Sequence, residues 1–224
     1  MLIAGTVPVP TVMAELRAER SVFHSEADLQ HAFAWTAHRL DPSVQVRLQV
    51  PHDQHGHLDL LCRGPGGRTA IELTYLTARW GGVDPHTGER YDLRDHAAAD
   101  LARHRFVTDL ERLERFCRGR PPPTTAVALL LTNDPALWQA PATDRPTRDR
   151  EFRLHEGRSL RGVLRWGSDE RYFPPDQRHL AGDYPLRWQD FTRLPGPHGR
   201  FRWLAVPVHT ADAPTPAEPG AGRD

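Results

Sequence analysis

Three strand-like segments in immediate succession, within residues 44–75, constrain this chain more than any other feature. Val44 to Val50 reads V-Q-V-R-L-Q-V, a period-two alternation that makes a strand with one solvated face. Leu58 to Arg63 and Arg68 to Tyr75 follow as a second and third strand, joined by the turn Gly64-Pro65-Gly66-Gly67. Whether the turn uses two residues or four, paired positions sum to 131, which sets Asp59 opposite Glu72. Opposed side chains put their Cβ atoms about 4.5–5.5 Å apart, a spacing at which like charges destabilise. The other face of the hairpin is apolar, with Leu58, Leu60 and Cys62 against Ile71, Leu73 and Tyr75. A slip of one residue would bury both carboxylates, so this register is the expected one. Thr74, two residues beyond Glu72, shares its face.

Helical patterns flank these strands. Ser25 with Asp28 opens a helix whose Leu29, Ala32, Phe33, Thr36, Ala37 and Leu40 recur at helical spacing, and Asp41-Pro42 ends it. Ala97 to Cys117 predicts a long helix with a stripe of Phe106, Leu110, Leu113 and Cys117. Ala126 to Leu131 is a short apolar run expected as a strand buried on both faces, and Phe201 to Val208 is the expected last strand. The order α-β-β-β-α-β places the chain in the α/β class, as a mixed central sheet flanked by helices. Its 224 residues suit one domain. Residues 1–20 read as an N-terminal extension, 21–134 as the core, and 135–209 as a region completing or decorating it. Residues 210–224, rich in Ala, Pro and Gly, are expected as a disordered tail.

Composition removes several function classes. The 29 basic residues, all Arg, balance 29 acidic ones, so no uniformly basic nucleic-acid coat exists, although a local basic cleft is compatible. Two cysteines cannot build a disulfide framework, and a reducing, cytoplasmic setting is expected. Pro8 and Pro10 interrupt the mildly apolar N-terminus, which does not read as a signal peptide. No apolar run approaches the roughly 20 residues of a membrane helix. Neither a lysine-containing phosphate loop nor a G-x-S-x-G elbow is present.

Two carboxylates across one hairpin need a reason to coexist. Water or arginines such as Arg47 and Arg63 can neutralise them. Alternatively a divalent cation can, since Mg²⁺ takes one or two carboxylates and keeps several waters. Ile71-Glu72-Leu73, where an acid interrupts an apolar central strand, favours the cation, Mg²⁺ or Mn²⁺. Glu26, in the first turn of the opening helix, supplies a third carboxylate if that helix packs alongside. His52, His55 and His57 precede Asp59 and read first as a polar loop, with His57 a candidate for contact with the metal or its water. The densest basic stretch runs from Arg145 to Arg165. With Trp166, Tyr172 and Phe173 nearby it suits phosphate contact and base stacking, or equally a solvated charged surface.

Glu26, then Asp59 in H-L-D-L-L, then I-E-L-T-Y at residues 71–75, resembles the core of the PD-(D/E)XK nuclease superfamily, across about residues 25–132. That resemblance implies a restriction-endonuclease-like fold and hydrolysis of phosphodiesters, most readily in DNA, by an endonuclease of the restriction or defence kind. It implies Asp59 and Glu72 as metal ligands, Glu26 as a supporting acid, and cleft-facing polar residues such as Asp100, Arg103 and Asp109 on the long helix. The family's Lys would stand at position 74, where this chain has Thr. Either an arginine from elsewhere supplies that charge, with Arg103, Arg79 and Arg47 as candidates, or the fold has lost cleavage. In the second case the chain binds nucleic acid or scaffolds a defence complex, and a protein partner of such a system is expected.

Overall fold

The computed structural model describes residues 1–53, 56–96, 98–118, 124–143, 145–168 and 171–208. The chain opens with two short paired strands, β1 (Leu2–Ile3) and β2 (Val7–Pro8), and helix α1 (Val9–Glu19). Pro8 caps α1 and Pro10 lies in its first turn, where a missing N–H costs nothing and a fixed φ suits the helix. Helix α2 (Glu26–Leu40) starts as expected: the Ser25 hydroxyl accepts the Asp28 N–H at 3.2 Å. Three strands follow, β3 (Gln45–Asp53), β4 (Gly56–Gly64) and β5 (Gly67–Leu76), then a small hairpin of β6 (Trp80–Val83) and β7 (Arg90–Leu93). Helix α3 (Ala99–Cys117) leads to β8 (Thr124–Thr132) and the single-turn α4 (Pro135–Trp138). The C-terminal part adds β9 (Ser159–Leu164), the two-residue β10 (Gly167–Ser168) and β11 (Arg171–Tyr172), β12 (Arg178–Pro185), β13 (Trp188–Arg193) and β14 (Arg200–Val208).

Six of these strands form the central sheet, in the order β13-β14-β8-β5-β4-β3. Only β5 and β8 pair in parallel, and α3 lies on the crossover that such a pair requires. The protein is α/β with a mixed sheet, and the order α-β-β-β-α-β is present with the β6–β7 hairpin inserted before α3. Alternation along β5 and β8 divides the interior into two layers. Ile71, Leu73, Tyr75, Val127, Leu129 and Leu131 pack with α1 and α2, whereas Ala70, Ala126, Ala128 and Leu130 pack with α3 and the C-terminal part.

This packing joins both flanking stretches to the central sheet. Within residues 1–20, Ile3, Val9, Val12, Met13 and Leu16 are buried in the same layer as Leu60 and Ile71. Likewise Phe152, Leu154, Leu160, Trp166, Leu180 and Trp188 of the C-terminal part complete the second layer. That part is tied to α3 by Glu114, whose carboxylate accepts the N–H groups of Ala181 (3.0 Å) and Gly182 (2.8 Å) and the Tyr184 hydroxyl (2.6 Å). The Ala181 and Gly182 N–H groups lie where β12 shifts register against β9 and so lacks regular strand partners. No helix among the described residues is long and apolar enough to cross a membrane. The expected tail, residues 210–224, lies outside the described residues.

Candidate active site

The β4–β5 ladder has the expected register from Gly64↔Gly67 to Leu60↔Ile71, and there it stops. Asp59 and Glu72 are therefore neighbours across an opened hairpin and not a ladder pair. The opening releases strand N–H groups that must find partners. The Leu73 N–H donates to Asp59 Oδ2 at 2.9 Å, and the Tyr75 N–H donates to Glu26 Oε2 at 3.0 Å. Two of the three sequence-derived acids are thus held by backbone groups of the strand that carries the third.

An irregularity on the neighbouring strand accompanies the opening. Gln49 has φ +50°, a left-handed conformation that costs a non-glycine residue about 1–2 kcal/mol. The β3–β4 ladder pairs Leu48 with Leu60 and Val50 with Leu58, and passes over Gln49 and Asp59 between them. The side-chain amide of Gln49 donates to Asp59 Oδ1 at 3.1 Å and lies 3.4 Å from Gln30 Oε1 on α2. Across this point the strands exchange faces. Leu60 and Cys62 lie in the α1–α2 layer, but Leu58 joins the α3 layer, which corrects its expected place beside them.

Glu72 and Thr74 point at α3, so their face is covered and not solvated; each is 2 % exposed. Arg112 on α3 stands 2.7 Å from Glu72 Oε2 and 2.9 Å from Asp109 Oδ1, and Arg105 stands 3.0 Å from Glu26 Oε1. Burial pushes the Glu72 carboxyl up to about 9; the negative charges of Asp109 and Asp59 add to this and Arg112 opposes it. Burial likewise pushes Asp109 up to about 7 against the pull of Arg112 and Arg105. Glu72 Oε1 and Arg112 Nε are buried without a hydrogen-bond partner. The cluster holds four acidic groups (Glu26, Asp59, Glu72, Asp109) and two guanidinium groups (Arg105, Arg112), and its raised Glu72 carboxyl keeps its proton at neutral pH.

The other sequence candidates lie elsewhere. Arg103 ion-pairs with Asp149 and donates to the Ala136 carbonyl at 2.6 Å. Arg47 donates to the Val46 carbonyl and the Gln45 side chain, and Arg79 is exposed with no ion pair to the acids. Asp100 ion-pairs with Arg148, which also stacks over Trp166 at 5.3 Å. His57 is exposed and unbonded to the cluster, while the His52 ring packs on Phe116; His55 lies outside the described residues. The Thr74 hydroxyl bonds to neither Glu72 nor Asp59. Within the Arg145–Arg165 stretch Arg153 and Arg158 are half-buried, Arg158 on the Glu151 carbonyl, whereas Arg145, Arg148, Arg150, Arg161 and Arg165 are exposed. Arg105 and Arg112 are not among the sequence candidates. Their spacing around Asp109, four residues before it and three after, is the signal that marks one polar face of α3.

Among the described residues no three His, Cys, Asp or Glu side chains converge as a ready ligand set. A divalent cation nevertheless fits the donors present. Mg²⁺ needs only one or two carboxylates, and the buried, unpartnered Glu72 Oε1 lies beside a second carboxylate, Asp59, whose charge helps keep Glu72 protonated until a cation displaces that proton. No protein-family model, no curated protein and no solved structure matches this chain.

Proposed function

We propose that the chain is a Mg²⁺- or Mn²⁺-dependent phosphodiesterase acting on nucleic acid, with a PD-(D/E)XK-type core. DNA is the substrate and a restriction or defence system, with its partner proteins, the setting that the sequence resemblance favours. The observation that carries this reading is Glu72 Oε1, buried without a hydrogen-bond partner beside the Asp59 carboxylate. Asp59 and Glu72 would hold the cation, which when bound polarises the phosphodiester and activates water. The remaining chemistry belongs to the chain. Gln49 and the Leu73 N–H orient Asp59, and Glu26 is fixed by the Tyr75 N–H and Arg105. Arg112 supplies the fixed positive charge that Thr74 cannot, reaching Glu72 from α3 and not from the strand.

The depth of Glu72 under α3 favours a second reading, in which the same fold binds nucleic acid or scaffolds a complex without cleaving. Supercoiled plasmid, linear duplex, single-stranded DNA and RNA incubated with the protein in Mg²⁺ and in Mn²⁺ separate the two. Metal-dependent products lost in both Asp59→Ala and Glu72→Ala support the enzyme. No products from folded protein, or products that persist in both variants, overturn it. Thr74→Lys then tests whether position 74 alone withholds activity.

A further inference from the structure

A second polar pocket, sharing no residue with the carboxylate cluster, lies between the start of α3 and the C-terminal part. Its volume is about 360 Å³, and Arg103, Thr147, Asp149, Arg153 and His155 form its polar wall, with Pro141 and Leu154 on the apolar side. Among the described residues that line it the one carboxylate is already engaged: Asp149 accepts from Arg103 and, at 2.5 Å, from the Thr147 hydroxyl. Among the described residues Arg153 reaches only that neutral hydroxyl, at 3.0 Å. Arg158 stands behind the wall, bound to the Glu151 carbonyl. His155 Nδ1 and the Nε groups of Arg103 and Arg158 are buried without a hydrogen-bond partner. Burial and the charges of Arg158, Arg153 and Arg103 hold the His155 imidazole neutral, so it presents no repelling or attracting charge of its own at neutral pH.

A cavity of this size with surplus guanidinium charge, unused N–H donors and an apolar flank has the chemistry of an oxyanion site with room for an organic group. We propose that this pocket binds a phosphomonoester of nucleotide size, the phosphate facing Arg153 and His155 and the sugar and base lying along Pro141 and Leu154. Such a group belongs equally to a free nucleotide and to the 5′-phosphorylated end of a strand. The site stands independently of whether the carboxylate cluster cleaves anything.

The test is calorimetric titration of the full-length chain with inorganic phosphate, dAMP, and a short single strand carrying either a 5′-phosphate or a 5′-hydroxyl. The expected result is that dAMP binds, or that the 5′-phosphorylated strand binds about tenfold or more tightly than the 5′-hydroxyl strand, whose own binding reports the carboxylate cleft; equal affinity for the two strands without binding of dAMP overturns the proposal. Binding of dAMP alone assigns the free nucleotide, and binding of the phosphorylated strand alone assigns the strand end. Arg153→Gln should weaken that binding about tenfold or more, the effect of losing one charge-assisted contact, with an unaltered melting temperature in the absence of ligand. Should Arg153→Gln fail to fold, Ala140→Trp on the exposed rim blocks the cavity without touching its polar wall. No binding of any phosphate ligand to the wild-type protein at about 1 mM overturns the proposal. So does affinity unaffected by whichever of the two variants folds.

Discussion

Replacing Glu72 by Gln should make the protein more stable at neutral and alkaline pH. The folded state holds the Glu72 proton up to about pH 9, whereas the unfolded chain releases it near 4.5. A carboxyl raised in this way gives its full contribution below pH 4.5 and loses it as the pH climbs towards 9. Within that window each pH unit costs about 1.4 kcal/mol, which amounts to about 4 kcal/mol between pH 5 and pH 8. The amide introduced by Glu72→Gln releases no proton and still offers an oxygen to Arg112, so the slope owed to this position vanishes. Asp109 keeps its own slope in the variant, but that slope ends near its raised value of about 7. Between pH 7 and pH 9 the difference between the two proteins therefore reports Glu72, since groups that titrate at higher pH, such as the buried Cys62 thiol, are common to both. Urea denaturation of both proteins at half-unit pH steps reads this directly. Stability curves that run parallel above pH 7 would refute the account of a buried, proton-holding Glu72. Saturating Mg²⁺ should flatten the wild-type curve in the same range, because a cation replaces the proton, and should leave the variant's curve unchanged.

Three further outcomes follow from the geometry. Arg112→Ala strips the guanidinium from the buried Asp109 carboxylate and from the Glu72 carboxyl and should cost about 3 kcal/mol at pH 8, where Asp109 is ionised, the lower end for a broken buried pair because the arginine is itself 22 % exposed. Arg112→Lys should recover part of it, and an unchanged denaturation midpoint for the alanine variant would contradict the pairing. At Gln49, the left-handed backbone makes Asn tolerated and Val costly by about 1–2 kcal/mol, measured by chemical denaturation. Glu114→Ala leaves two backbone N–H groups and a tyrosine hydroxyl without their acceptor and should cost about 3 kcal/mol. Faster hydrogen exchange at Ala181 and Gly182 locates that loss.

The hairpin is legible in the sequence because two independent signals agree on it: a glycine-rich turn and an alternation that tolerates no slip. Legibility ends at Leu58, where the face reverses through a left-handed Gln; that conformation is common at Gly and Asn, and nothing in the side chain of Gln announces it. The polar face of the hairpin reads as meeting solvent, since the partner that covers it is a helix that follows only after the β6–β7 hairpin. Only the Arg105, Asp109, Arg112 spacing on that helix hints at a polar surface with something to meet. Pro8 and Pro10 read as interruptions, but prolines at a helix start promote it. Between residues 135 and 200 the strands are half exposed and β12 breaks register, so neither period two nor a continuous apolar run survives in the sequence.

The irregular turn of backbone at Gln49 has a consequence beyond the site it borders. Strand β3 ends the central sheet, and a straight edge of that kind offers unpaired N–H and C=O groups to any passing strand. Here the row is broken twice within three residues, by the left-handed Gln49 and by Pro51, which has no N–H to give. The distortion that steadies Asp59 therefore also spoils the edge as a template for another copy of the chain. A substitution that straightened β3 would loosen the carboxylate and, in the same stroke, leave the molecule open to self-association through its own sheet.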